Sequence, residues 1–239
     1  TRAWARGNTT TYSYDPASGN MTNIDYSGAT PDVAFTYTRL GQQKSITDAL
    51  GPRSFTYNDA LQLAAETNVL GLLTRSYDSL GRSSCFDLRS RDGDGVDYSV
   101  FYGFDSFGRF SSVSSSVASA TSVVQYSYLP NSDLLSGYAL TSMPLPLSVS
   151  RSYEDHRNLL TQVKHAVAGT VISRYDYAND AVGRRTSVKN SGTAFEPVGD
   201  AFNLYGYNNR SELTSAGRFF GSDVAQTNEP VSGQAFGYD

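Results

Sequence analysis

The chain has 239 residues, and its 19 Lys and Arg against 23 Asp and Glu give a formal net charge of −4 at pH 7. Dispersed acidic charge argues against the basic surface that nucleic-acid binding requires, and no apolar run is long enough for a membrane-spanning helix. The 17 Tyr and 12 Phe against a single Trp favour β-structure, because aromatic side chains fit a pleated, half-buried surface.

One stretch of eight residues, from Tyr102 to Arg109, defines the unit that organises the sequence. Tyr102 and Phe104 are two residues apart and therefore lie on one face of a strand. Asp105 can accept backbone hydrogen bonds at the start of a turn, and Gly108 can take a positive φ without steric cost. Arg109 opens the returning strand. The unit therefore predicts half a β-hairpin.

Copies of this unit follow one another along the chain. Their second aromatic residues are, in order, Tyr14, Tyr37, Tyr57, Tyr77, Phe104, Tyr128, Tyr153, Tyr177, Tyr207 and Tyr238. The turn residues of the copies are Asp15, Gly19, Gly41, Asp78, Gly81, Arg82, Asp105, Gly108, Arg109, Gly183, Arg184 and, at the end, Asp239. The copy at Tyr177 reads as a lengthened one, with two residues added before Gly183. Spacings from 20 residues (Tyr37 to Tyr57) to 31 residues (Tyr207 to Tyr238) indicate a tandem-repeat architecture.

The segments between the turns have the alternation of strands, clearest in residues 110–117 and 122–128. Residues 61–73 have some helical spacing, but Gly71 and the place of this segment in the repeat favour a strand. Pro144 and Pro146 cannot donate to a ladder, which places them at an edge or a bend. We predict an all-β chain, a single array over residues 1–239 with about nine repeats and the start of a tenth, truncated at both ends.

One acidic cluster, formed by Asp92, Asp94 and Asp97 with interleaved glycines, is a weak candidate for a metal site. Carboxylates arranged in this way can wrap calcium. However, Phe101 stands where a helix-loop-helix calcium loop has its bidentate Glu. The alternative interpretation is a polar hairpin tip before the strand that follows.

Other reactive residues give no recognisable active site. Cys85 is the only cysteine, so no internal disulfide is possible, and no basic residue adjoins it to activate the thiol. His156 and His165 lack the spacing of a zinc site. No phosphate-binding loop, nucleophile elbow or metalloprotease motif occurs. We therefore expect neither a catalytic site nor a cofactor.

Units of the form Tyr-x-Tyr/Phe-Asp-x-x-Gly-Arg at this spacing resemble the YD repeats of bacterial Rhs proteins and of the related toxin-complex and teneurin shells. Residues 77–82 and 104–109 match best, and the resemblance covers essentially the whole chain. It implies a long β-sheet strip coiled into a hollow shell, secreted or displayed at the cell surface, which encloses a C-terminal toxic or variable domain. The family's self-cleaving Asp-Pro-x-Gly segment lies at the downstream end of the shell. Here Asp15-Pro16 lies near the start with an extra residue before Gly19, so no catalytic aspartate is carried over.

Three hypotheses follow for the function. In the first, the chain is a structural shell segment whose partner is the rest of its parent chain, including the enclosed C-terminal domain. In the second, it is a binding module whose exposed aromatic rings stack on glycans or another cell-surface carbohydrate. In the third, it is a propeller-like hydrolase, which would need a convergent acid–base pair. The exposure of the repeated aromatic residues separates the first hypothesis from the second.

Overall fold

The computed structural model describes residues 1–91, 95–117, 120–142, 144–196 and 199–238. Nearly all of this chain is strand and turn, and the only helix in the described ranges is a single turn of 3-10 helix at Thr193–Phe195. No helix in these ranges is both long and apolar enough to cross a membrane. The prediction of an all-β chain is confirmed.

The strands follow one another with short connections. In chain order they are β1 (Arg2–Ala3), β2 (Thr9–Tyr14), β3 (Met21–Tyr26), β4 (Val33–Tyr37), β5 (Gln43–Asp48), β6 (Gly51–Tyr57), β7 (Leu63–Thr67), β8 (Gly71–Tyr77), β9 (Ser83–Ser90), β10 (Tyr98–Phe104), β11 (Phe110–Val117), β12 (Ala120–Tyr128), β13 (Leu135–Leu140), β14 (Leu147–Tyr153), β15 (Leu160–Val167), β16 (Thr170–Asn179), β17 (Arg185–Ser191), β18 (Ala201–Tyr207), β19 (Leu213–Phe220) and β20 (Pro230–Gly237).

The chain divides into two compact units. The first comprises the described residues of 1–103 and 114–121, and the second comprises those of 104–113 and from 122 onward. Strands β1 to β9 lie in the first unit, and β13 to β20 lie in the second. The prediction of a single repeat array over residues 1–239 stays a prediction.

Within each unit the strands form antiparallel meanders. Each of β1 to β8 pairs with the next strand in the first unit, and each of β13 to β19 does so in the second. Pairing between sequence neighbours is the expected outcome of short connections. Residues 61–73, for which a helix was the alternative, contain β7 and the start of β8.

A β-bulge recurs in the hairpins that carry the repeated unit. In the hairpin of β8 and β9, Ser76 pairs with Cys85, but the ladder then shifts so that Tyr77 pairs with Ser83. Equivalent shifts directly precede the motif aromatic at Tyr14, Tyr37, Tyr57, Tyr128, Tyr153 and Tyr207. Because a bulge bends its strand and increases the local twist, each of these hairpins is bent at the same place.

The two faces of the hairpin of β4 and β5, in the first unit, differ in chemistry. On one face, aromatic and aliphatic side chains are cross-strand neighbours, as Phe35 and Ile46 are. On the other face, small hydroxyl side chains are neighbours, and the Thr36 and Ser45 hydroxyl oxygens lie 2.6 Å apart. This division follows from the alternation of side chains along a strand.

In the second unit, Phe202 is fully buried and stacks on Phe219 with ring centroids 5.4 Å apart. Most other side chains in the strands are only half-buried. A row of ring contacts at centroid distances of 5.2–5.8 Å joins Phe104 to Phe110, Phe110 to Tyr126, and Tyr126 to Tyr138. Apolar burial in this unit therefore comes largely from contacts between side chains on neighbouring strands.

Candidate functional site

The repeated turn is closed by its aspartate. At Asp105, the backbone N–H donates to the Arg109 carbonyl at 2.8 Å, and the Gly108 N–H donates to the Asp105 carbonyl at 2.9 Å. The carboxylate Oδ1 accepts from the backbone N–H groups of Phe107 and Arg109, each at 2.9 Å. Oδ2 accepts from Arg109 Nε at 2.8 Å. One carboxylate thus satisfies two backbone donors and an arginine.

The same arrangement recurs at the other turns of this sequence pattern. Asp78 with Arg82 and Asp180 with Arg184 form ion pairs with Nε–Oδ2 distances of 2.7 Å. Asn208 uses its amide oxygen for the same purpose and accepts from two backbone N–H groups, at 2.9 and 3.0 Å. An amide oxygen can therefore replace the carboxylate in closing the turn.

Hydrogen bonding lowers the pKa of the turn carboxyl groups. For Asp78, the backbone N–H of Arg82 contributes most to the lower pKa, and it outweighs the opposing effect of partial burial. For Asp105 and Asp180, partial burial raises the pKa, but the hydrogen bonds from Arg109 and Arg184 together lower it further than burial raises it. Each of these carboxyl groups is therefore held in the ionised form by its own turn.

Glycine occupies the left-handed position of the turn, as the turn assignment requires. Gly81 and Gly108 have φ of 78° and 81°. The corresponding position is also left-handed where the sequence has no glycine, at Leu61 (φ 63°), Asn158 (φ 55°) and Ser211 (φ 65°). The conformation is therefore imposed by the repeat and persists without its preferred residue.

The motif tyrosine joins each hairpin to the one before it. Tyr77 belongs to the hairpin of β8 and β9, yet its hydroxyl donates at 2.8 Å to the carbonyl of Leu63, the first residue of β7. In five other copies as well, the acceptor is the first residue of the preceding hairpin's return strand. These bonds run from Tyr37 to Met21, Tyr57 to Gln43, Tyr128 to Phe110, Tyr153 to Leu135 and Tyr207 to Arg185, at 2.6–2.9 Å. We call this set of bonds the tyrosine ladder.

The residue after the left-handed position joins each hairpin to the one that follows. Arg109 places its guanidinium carbon 4.3 Å from the ring centroid of Tyr128, and its Nη1 donates to the carbonyl of Ser132 in the next turn. Arg184 does the same with Tyr207, at 5.0 Å, and with the Asn208 carbonyl, at 3.1 Å. Arg109 and Arg184 therefore each connect their own turn to the hairpin that follows.

Glutamine fills the arginine position in two copies and also contacts the turn that follows. Gln42 Nε2 donates to the Leu61 carbonyl at 2.9 Å, and Gln62 Nε2 donates to the Gly81 carbonyl at 2.7 Å. The spacing indicates that glutamine and arginine occupy equivalent positions, since each glutamine follows its motif tyrosine by the same offset that separates Tyr77 from Arg82.

The repeat at Tyr177 needs a correction. The turn there is the regular one from Asp180 to Arg184, and the strand before it is two residues longer than predicted. The ladder shift falls between Ala178 and Asn179, so Asn179 occupies the position of the motif tyrosine. Its Nδ2 donates to the carbonyl of Leu160, the first residue of β15, at 3.4 Å. Asn179 therefore occupies the motif position that the sequence analysis assigned to Tyr177.

The terminal copies differ from the inner ones. Tyr14 is 58% exposed, and its hydroxyl has no hydrogen-bond partner in the described residues. Tyr238 is also exposed, and its ring lies 5.6 Å from that of Phe236. Asp239, predicted to begin the tenth copy's turn, lies outside the described residues.

The structure gives little support to a metal site. Asp92 and Asp94 lie outside the described residues. Asp97 is exposed and accepts a hydrogen bond from the Ser90 N–H, and hydrogen bonding from Ser90 lowers its pKa. In the described part of the chain, no group of three or more His, Cys, Asp or Glu side chains is placed to hold a metal ion.

The cysteine and the histidines occupy unrelated places. Cys85 is half-buried, and burial, together with a hydrogen bond to Asp87, raises the pKa of its thiol to about 11. A thiol with this pKa is a poor nucleophile at neutral pH. His156 is exposed in a turn, and His165 in β15 is half-buried, with Nδ1 3.0 Å from the Ser173 hydroxyl.

No protein-family model matches the chain, and no curated protein matches it. Among similar solved structures, TcdB2-TccC3 without its hypervariable C-terminal region has 14% identity and a TM-score of 0.35, covering 93% of this chain and 16% of that chain. The Photorhabdus luminescens Tc holotoxin pore has 14% identity and a TM-score of 0.31, covering 89% and 16%. A porin-like protein from Bacteroides uniformis has 12% identity and a TM-score of 0.34, covering 94% and 92%.

The chain spans 14–17% of the toxin-complex chains in these comparisons. We therefore infer the function from the geometry of the repeat.

Replacing the turn glycine should be costly. We expect Gly81→Val and Gly108→Val each to destabilise the chain by roughly 1–3 kcal/mol, because a β-branched residue is strained at positive φ. Ser114→Val, in strand β11, should change the free energy of unfolding by less than about 0.5 kcal/mol. Urea unfolding of the three variants measures this, and equal midpoints would contradict the turn assignment.

Adding a glycine where the repeat lacks one should stabilise the chain. Leu61→Gly should raise the free energy of unfolding by about 1 kcal/mol, because leucine is strained at φ 63°. Ala60→Gly is the matched control in the same turn, and it should be neutral or destabilising because Ala60 has no positive φ. Thermal unfolding of both variants tests this. A loss of stability in Leu61→Gly would show that its side chain, which is 53% exposed, matters more than its backbone strain.

Removing one hydroxyl tests the tyrosine ladder. Tyr77→Phe should lower the free energy of unfolding by about 1 kcal/mol, since it deletes the bond to the Leu63 carbonyl and keeps the ring. Tyr14→Phe is the control, because the Tyr14 hydroxyl makes no such bond in the described residues. Both are measured by chemical denaturation, and equal effects would argue against the ladder.

The turn carboxylates predict a loss of stability in acid. The pKa of these carboxyl groups in the folded chain lies below the unfolded value of about 3.9. Their contribution to the free energy of unfolding is therefore complete above about pH 3.9 and is lost as the pH falls through the folded pKa. Asp105→Asn should therefore show a smaller fall in unfolding midpoint between about pH 5 and pH 3 than the unchanged chain. Asp59→Asn is the control, because no hydrogen bond to the Asp59 carboxylate is seen in the described residues. An unchanged acid dependence in Asp105→Asn would contradict this assignment.

Proposed function

We propose that the chain is a wall segment of a secreted or cell-surface shell of the Rhs/YD-repeat type, which encloses or presents a C-terminal toxin or variable domain. The observation that carries the proposal is the use of the repeated side chains. The motif aspartate closes the turn, and the motif glycine takes its left-handed position. The motif tyrosine and arginine contact the neighbouring hairpins. The side chains that recur most regularly in the sequence therefore serve to hold the sheet together.

The direction of these contacts supports a wall. The tyrosine ladder runs to the preceding hairpin, and arginine or glutamine reaches the following turn. A hairpin placed between two others is therefore held by side chains from both sides, in addition to the backbone ladder. In a repeat array, stability of this kind grows with each interface added.

The different faces of the hairpin of β4 and β5 also suit a wall. One face carries aromatic side chains and the other carries small hydroxyl side chains, such as Thr36 and Ser45. A single sheet with two such faces can separate two environments without a second layer. We infer that enclosure is the task for which this sheet is suited.

The competing hypothesis, glycan recognition by the row of motif aromatics, has less support. The inner motif tyrosines are half-buried, and their hydroxyls already donate to backbone carbonyls. Arg109 lies over the ring of Tyr128. Rings held in this way are poorly placed to stack on a sugar, so the row is better explained as packing between repeats.

The proposal predicts protection of an enclosed domain in the parent protein. In limited proteolysis of the full-length product, the domain downstream of the repeats should stay intact after an unenclosed reference protein has been digested. Gly81→Val combined with Gly183→Val, which strains two wall turns, should expose that domain to the protease, whereas Ser114→Val should leave it protected. Equal digestion of the downstream domain in the unchanged protein, the double glycine variant and Ser114→Val would contradict enclosure.

A further inference from the structure

The only tryptophan of the chain lines a cavity in the first unit. The cavity has a volume of about 520 Å³ and is formed around the turn between β1 and β2 and the end of β3. Trp4, Arg6, Asn8, Tyr26 and Thr30 are among its lining residues. This volume lies within the range of about 300–1,000 Å³ that is typical of small-molecule sites.

The turn at Trp4 has the backbone geometry of the repeated turn but not its side chain. The Trp4 N–H donates to the Asn8 carbonyl at 2.9 Å, and the Gly7 N–H donates to the Trp4 carbonyl at 2.9 Å, as at Asp105 and Gly108. Gly7 holds the left-handed position with φ of 84°. Trp4 thus stands where the motif has its aspartate, and its side chain takes no part in closing the turn.

Two contacts fix the indole ring. Its Nε1 donates to the hydroxyl of Thr10 at 3.0 Å, and Thr10 is buried. The guanidinium carbon of Arg2 lies 3.9 Å from the ring centroid and covers one face. Trp4 is nevertheless 46% exposed. A large apolar surface is therefore held in a defined orientation at the wall of the cavity.

Polar groups without protein partners surround this ring. The Arg6 guanidinium, the Asn8 amide and the hydroxyls of Tyr26 and Thr30 make no side-chain hydrogen bond in the described part of the chain. Donors and acceptors placed beside an exposed aromatic face match a pyranose, which has an apolar C–H face and a rim of hydroxyl groups. A purely apolar ligand would displace water from these polar groups without replacing its hydrogen bonds.

We propose that this cavity is a saccharide-binding site in which Trp4 stacks on a pyranose ring and Arg6, Asn8 and Tyr26 bond to its hydroxyl groups. The site is separate from the row of motif tyrosines and does not depend on the wall function.

The tryptophan itself provides the measurement, because its fluorescence reports on this site alone. The chain is titrated separately with cellotetraose, maltotetraose and chitotetraose. We expect a saturable change in tryptophan emission with at least one of them, at a Kd of about 1 mM or below. Asn8→Ala and Arg6→Ala should each weaken that binding about tenfold. Asn209→Ala, in an exposed turn elsewhere, should bind as the unchanged chain does.

Calorimetry with Trp4→Ala provides a second readout, and binding should be lost while the unfolding midpoint shows that the variant is folded. Absence of a saturable signal with all three tetrasaccharides overturns the proposal. A signal that Asn8→Ala and Arg6→Ala leave unchanged also overturns it, because the sugar would then bind elsewhere. Neither result would bear on protection of a downstream domain.

Discussion

The hydrogen bond from a motif tyrosine to a backbone carbonyl of the preceding hairpin is the interaction on which the structure depends. An isolated two-stranded hairpin is marginally stable in water, and few side chains in the described ranges are fully buried. Stability must therefore come from contacts between hairpins. The phenolic ring suits this purpose because it covers apolar surface on the sheet and carries a hydroxyl that reaches an otherwise separate strand. The wall hypothesis follows from this use of tyrosine.

The turn and the ladder support each other. The aspartate closes the turn and fixes the arginine, and the fixed arginine reaches the neighbouring turn and ring, as Arg109 does with Ser132 and Tyr128. The bulge before the tyrosine sets the place where its strand bends. Copies that lack one component keep the others: Leu61 keeps the left-handed turn without glycine, and Asn179 bonds to the preceding hairpin without a phenol. Such redundancy explains how the repeat tolerates sequence drift.

Much of this architecture could be predicted from the sequence, because it is local. The alternation of apolar and polar residues predicts the strands, and Asp105 with Gly108 indicates the turn. The acceptors of the tyrosine hydroxyls could not be predicted, since they are backbone carbonyls whose identity depends on register between hairpins. The assignment of Tyr177 was an error of another kind, because the sequence contains the regular spacing from Asp180 to Arg184. Asn179 directly precedes that aspartate and therefore occupies the motif position. The cavity at Trp4 could not be predicted from the motif. Its turn is closed by backbone hydrogen bonds, and Trp4 stands where the motif has an aspartate.

The most direct test is a double-mutant cycle between two hairpins of the second unit. Arg109→Met and Tyr128→Leu are measured singly and together by urea unfolding. The account predicts a coupling free energy of about 1 kcal/mol between these residues, and no coupling beyond about 0.3 kcal/mol in a control cycle of Arg109→Met with Tyr207→Leu. Additive effects in the first cycle, or equal coupling in both, would contradict the claim that the motif side chains join neighbouring hairpins.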